Sequence, residues 1–75
     1  MSDPIPEIDL RGVPCPLNWA KAKVRLEPMP RGRRLAFRVD DPRSARDMPR
    51  AAEAEGYVVV EIAPDGAAWR IVIER

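Results

Sequence analysis

The chain has no histidine and one cysteine, Cys15, among its 75 residues. A single thiol cannot close an internal disulfide, and structural zinc needs several Cys or His ligands, so no metal site is expected. The missing histidine is awkward for a cysteine hydrolase, which pairs its thiol with a base. Aromatics are scarce, with two Trp, one Tyr and one Phe. Trp19, Phe37 and Trp69 lack the spacing of a base-stacking platform and are assigned to the core. Charge of one sign is lacking too: 13 Lys and Arg face 12 Asp and Glu, a formal charge of +1. That balance argues against nucleic-acid binding through bulk charge. No apolar run approaches membrane-spanning length, and Met1-Ser2-Asp3-Pro4 lacks the apolar centre of a signal peptide. These absences lead to the expectation of a cytoplasmic monomer in a reducing compartment, with no membrane or direct nucleic-acid partner. The length fits one domain over residues 1–75, with 1–4 disordered. It leaves too little interior for an enclosed cofactor.

What the chain does have is a readable order of elements. Ile5 to Leu10 alternates loosely and suits a short strand. In Arg11-Gly12-Val13-Pro14, Gly12 permits an unusual backbone angle. A helix is predicted from Pro16 to Glu27, with Leu17, Ala20 and Val24 as its inward stripe, flanked by Trp19 and Lys23. Pro28-Met29-Pro30 ends it. Arg34 to Val39 alternates as a strand, with Leu35, Phe37 and Val39 facing one way. Asp40-Asp41-Pro42 closes that strand. Asp47 is predicted to cap a second helix in which Pro49 lies in the first turn, and Gly56 ends it. Tyr57 to Ala63 and Ala68 to Glu74 are strands around a Pro64–Ala67 turn. The order is βαβαββ. It predicts a two-layer α/β sandwich, a four-stranded mixed sheet with two helices packed on one face.

Cys15 lies where strand gives way to helix. Proline at a first helical position is pre-shaped for the helix start, since its missing N–H would be unpaired there anyway. A thiol just before that start faces backbone N–H groups and the positive end of the helix dipole, and both favour the nucleophilic thiolate. The plainer alternative is a buried small hydrophobe, the commonest fate of a free cysteine. The flanking Gly12, Pro14 and Pro16 favour a shaped, exposed loop.

Several separated motifs carry a resemblance. They are Asp9-Leu10-Arg11-Gly12, Cys15-Pro16, Lys21 and Lys23 in the first helix, Gly32, Val39-Asp40-Asp41-Pro42, Asp47-Met48-Pro49 and Gly56. In this pattern the chain resembles the TusA family of small sulfur carriers, also called SirA-like. The family's Asp-Asp-Pro, four residues, Asp-Ile-Pro spacing is kept, with Met48 in place of isoleucine. The resemblance implies the two-layer fold and a catalytic cysteine, Cys15, that carries sulfur as a covalent persulfide with no other cofactor. It implies a donor protein, a cysteine desulfurase or rhodanese, and an acceptor protein. The routes served by the family include tRNA thiolation, cofactor synthesis and sulfur metabolism. One departure stands out: the family motif is Cys-Pro-x-Pro, and Asn18 occupies the second proline position. Asn18 restores a backbone N–H to the first helical turn and motivates the alternative reading, a non-catalytic interaction module with an inert thiol.

Around the thiol, Arg11, Gly12, Pro16 and Asn18 are the site-shaping residues. Arg11 either stabilises the thiolate or is a solvated strand-end arginine. Lys21 and Lys23 are candidate docking residues for an acidic partner; two apart, they cannot share a helix face, and Lys21 is favoured. Asp40, Asp41, Pro42 and Asp47 read as turn and cap residues rather than a metal or acid site. Arg31, Arg33, Arg34, Arg43, Arg46 and Arg50, interspersed with acids, read as solvated surface.

Overall fold

The computed structural model describes residues 5–14 and 16–75, so Cys15 and the expected disorder of 1–4 lie outside the described residues. Six elements follow the predicted order: β1 (Glu7–Asp9), α1 (Leu17–Leu26), β2 (Arg34–Val39), α2 (Pro42–Ala54), β3 (Val58–Asp65) and β4 (Ala68–Glu74). The sheet order is β1-β2-β4-β3; β1 pairs parallel with β2, and the other pairs are antiparallel. The two central strands, β2 and β4, are accordingly the most buried.

Register explains the core. Leu35, Phe37 and Val39 lie opposite Ile73, Ile71 and Trp69 across the β2–β4 ladder, and Ile8 lies opposite Phe37 on β1. This face meets Ala22 and Leu26 of α1 and Met48 and Ala52 of α2 in one cluster. Each large side chain buried there contributes roughly 1.5–3 kcal/mol. On the opposite face, Ala36 and Val72 are also fully buried although no helix covers them. They are flanked by Arg38 and Arg70, whose stems bring apolar surface and whose heads pair with Glu7; Arg38 also reaches Asp65 at 2.8 Å.

Three expectations need correction. The stripe Leu17, Ala20 and Val24 faces outward, with Leu17 and Val24 exposed at 49% and 69%. The inward stripe is Asn18, Ala22 and Leu26, at i, i+4 and i+8. Its first member is polar, which is why an apolar-pattern reading rotates the helix by one residue. Second, α1 begins at Leu17, with Pro16 at the N-cap rather than the first helical position; the Pro16 carbonyl accepts from Trp19 and Ala20 N–H at 3.1 and 3.3 Å.

Third, Asp47 caps nothing. A single α2 starts at Pro42 with Asp41 as N-cap, whose carboxylate accepts the Arg43 N–H at 2.9 Å. Pro42 takes the first helical position, where its missing N–H costs nothing. Pro49 therefore sits inside the helix, and Asp47 pairs with its neighbour Arg46. Smaller differences concern strand ends. β1 is confined to Glu7–Asp9, and β3 starts after the buried Tyr57 and continues through Pro64 to Asp65. Only Gly66 and Ala67 remain as the hairpin turn, and Gly66 supplies the positive φ of +61° that a tight turn needs. Gly56 follows α2 at φ +89°, the left-handed residue expected at a helix end.

Candidate functional site

The β1–α1 connection leaves the sheet at Leu10, which is buried and whose N–H donates to the Arg38 carbonyl at 2.8 Å. The chain then reverses at Gly12, where φ is +80°. A β-carbon there would meet nothing within 4 Å, so glycine is required by the backbone angle and not by space. The Gly12 N–H donates to Asp40 Oδ1 at 3.0 Å. Asp40 thus does more than turn the chain after β2: it fastens the connection between β1 and α1.

The far end of the connection is held by Asn18. Its backbone N–H donates to the Pro14 carbonyl at 3.1 Å, closing a turn between the residues on either side of positions 15 to 17. The side chain is fully buried. Its Oδ1 accepts the Trp19 N–H at 2.7 Å, which orients the amide, since a backbone N–H only donates. Nδ2 then donates to the hydroxyl of Ser44, also fully buried, in the first turn of α2. Asp40 and Ser44 therefore grip the connection at Gly12 and Asn18, three residues before and three residues after Cys15 in the chain.

The electrostatics around this frame are local. Arg11 folds back on Asp9 through Nε and a second nitrogen at 2.9 and 2.8 Å, and its own N–H donates to Asp9 Oδ1. These bonds hold the Asp9 carboxyl well below the usual carboxylate range and raise the Arg11 guanidinium. α1 has no acidic residue in its first turn, so its own side chains leave the positive dipole end uncompensated. Lys23 pairs with Glu55, which also accepts from Trp19 Nε1 at 2.7 Å; the pairing lowers the Glu55 pKa and raises that of Lys23. Lys21 is exposed beside the outward Val24, in a groove of about 330 Å³ between β1 and α1 lined also by Ile8, Leu10 and Arg25. Among the described residues no group of three His, Cys, Asp or Glu side chains gathers as a metal site. No described helix is long and apolar enough to cross a membrane.

Sequence reasoning missed Ser44 and the long-range grip of Asp40, because neither partner is visible from local spacing. It named Asn18, but not its burial. The usable signal was a polar residue at the position that, with Ala22 and Leu26, completes an i, i+4, i+8 stripe.

A mixed four-stranded sheet under two helices, with the β1–α1 connection braced by Asp40 and Ser44, defines a small two-layer α/β sandwich. The sequence profile of the family described as Sulfurtransferase TusA matches residues 6–75. The chain belongs to this family. It is 35% identical over 69 residues to a protein of Archaeoglobus fulgidus named "Putative sulfur carrier protein", covering 91% of this chain and 78% of that protein. The crystal structure of a SirA-like protein from Desulfitobacterium hafniense superposes with a TM-score of 0.79 at 25% identity, covering 93% of this chain and 96% of that one.

Proposed function

We propose that the protein relays sulfur on Cys15. The observation that supports this most is the frame around position 15: a connection gripped at Gly12 by Asp40 and at Asn18 by Ser44, leading into the uncompensated start of α1. In the reaction, the Cys15 thiolate attacks the outer sulfur of a donor's persulfide. A sulfur–sulfur bond forms on Cys15 while the donor's sulfur–sulfur bond breaks, and the donor cysteine leaves as thiolate. A nucleophile on the acceptor then takes the outer sulfur and returns Cys15 to the thiolate. Oxidation level is exchanged between partners, so no external oxidant is consumed. The donor is a cysteine desulfurase or rhodanese and the acceptor a second protein. Lys21, exposed on the same helix face as Leu17 and Val24, is the docking residue for an acidic, partly apolar partner surface. Lys23, engaged by Glu55, is a lesser contributor.

Asn18 motivates the alternative of an inert module. Its buried bonds to Trp19 and Ser44 instead make it part of the frame. Incubation with a cysteine desulfurase and cysteine, followed by intact-mass measurement, tests the proposal. A gain of one sulfur that disappears in Cys15→Ser is expected; no gain with any desulfurase or rhodanese from the same source contradicts it.

A further inference from the structure

We propose that Asn18 and Ser44 form a coupled positioning pair, an amide–hydroxyl clasp that fixes the first turn of α1, and the backbone on either side of position 15, to the first turn of α2. In its reference to Cys15 this rests on the sulfur-carrier reading.

Three observations carry it. Both side chains are fully buried, so neither has water as an alternative partner. A buried amide or hydroxyl left without a bond is penalised, so each side chain holds the other in place. The Asn18 amide is satisfied in opposite directions, from Trp19 N–H within α1 and toward Ser44 in α2. A rotation of either helix start would break one of the two. The Asn18 backbone N–H also closes on the Pro14 carbonyl, so the residue that ties the helices together also closes the turn before α1.

A proline at position 18 would supply stiffness by restricting φ, but has neither the N–H for Pro14 nor an amide for Ser44. The chain therefore obtains a rigid helix start by hydrogen bonding to α2 instead of by a second ring. The consequence is specific: Ser44, 26 positions from Asn18 and with no place in the Cys-Pro motif, fixes the helix start that follows the motif. Ser44 is a positioning residue acting through Asn18.

The test compares wild type, Ser44→Ala, Asn18→Ala and the double variant. One readout is backbone hydrogen exchange at position 18, and the other is the pH profile of alkylation by iodoacetamide, in which the Cys15 thiolate displaces iodide. Ser44→Ala is expected to speed exchange at Asn18 by roughly tenfold. It should also move the alkylation profile up by about half a pH unit, a threefold lower rate below the midpoint, as expected when helix-start amides serve a thiolate less well. The double variant should match Asn18→Ala instead of adding to it. Unchanged exchange at Asn18 in Ser44→Ala overturns the clasp. Faster exchange with an unmoved alkylation profile overturns its positioning role, since purely structural loosening does not select the thiol. A wild-type thiol that reacts only after unfolding sinks the carrier reading, and the exchange arm still decides the clasp.

Discussion

The backbone N–H of Gly12 donates to the carboxylate of Asp40 at 3.0 Å, joining residues 28 positions apart. The bond ties the chain leaving β1 to the chain leaving β2, two parallel neighbours whose exits lie side by side. Asp40 belongs to the Asp-Asp-Pro turn that starts α2, so one short segment caps a helix and braces the Cys15 connection. Asp40→Ala should lower stability by about 0.5–1.5 kcal/mol and slow sulfur loading. Asp40→Asn, which keeps an acceptor oxygen, should recover most of both. Urea midpoints and loading rates of the two variants check this.

Asp41 and Asp47, each two residues or fewer before a proline, have different weights in α2. Asp41 accepts the Arg43 N–H, while Asp47 lies mid-helix on the surface beside Arg46. Asp41→Ala should cost about 1 kcal/mol as a lost N-cap. Asp47→Ala should stay within about 0.5 kcal/mol of wild type. Equal losses in chemical denaturation would mean that the helix starts elsewhere.

The facing of α1 separates packing from docking. Leu26→Ala, in the fully buried stripe, should cost about 2–5 kcal/mol. Leu17→Ser and Val24→Ser, on the exposed face, should leave the denaturation midpoint nearly unchanged. Combined with Lys21→Glu, they should reduce the rate of sulfur uptake from the donor. A large loss of stability in Val24→Ser would show that the outward stripe is core after all.

Acid should weaken the tie between α1 and the end of α2. Lys23 and Trp19 both engage Glu55 and lower its pKa in the folded chain. At pH values between the lowered folded value of Glu55 and the ordinary carboxylate range, the unfolded chain therefore binds more protons than the folded one. The stabilisation is present at neutral pH and is lost as pH falls through the folded value. Glu55→Gln should be less stable than wild type at neutral pH and converge with it in strong acid. Parallel curves of urea midpoint against pH would contradict this.

Much of the fold was legible because its signals are local. Alternation in Arg34–Val39 and Ala68–Glu74, proline and glycine stops after α1, and Gly56 after α2 all act within a few residues. The facing of α1 was not legible. Its first inward residue is Asn18, and a buried amide is intelligible only once Ser44 is beside it. The start of α2 was misplaced because Asp47-x-Pro49 and Asp41-Pro42 offer the same cap chemistry. What decides between them is that Asp41 meets an N–H where the strand ends. At the site, Cys15, Gly12 and Asn18 could be named from the sequence. The braces at Gly12 and Asn18 could not, since Asp40 and Ser44 lie 28 and 26 residues along the chain from the groups they hold.

The most direct measurement is the location of transferred sulfur. The protein is loaded with a desulfurase and cysteine, capped with iodoacetamide and digested with trypsin, which releases residues 12–21 around Cys15 as one peptide. The account predicts that this peptide carries one extra sulfur beneath the cap, and that the sulfur is gone after an acceptor is added. A peptide bearing only the ordinary cap, whichever persulfide donor is supplied, would contradict it.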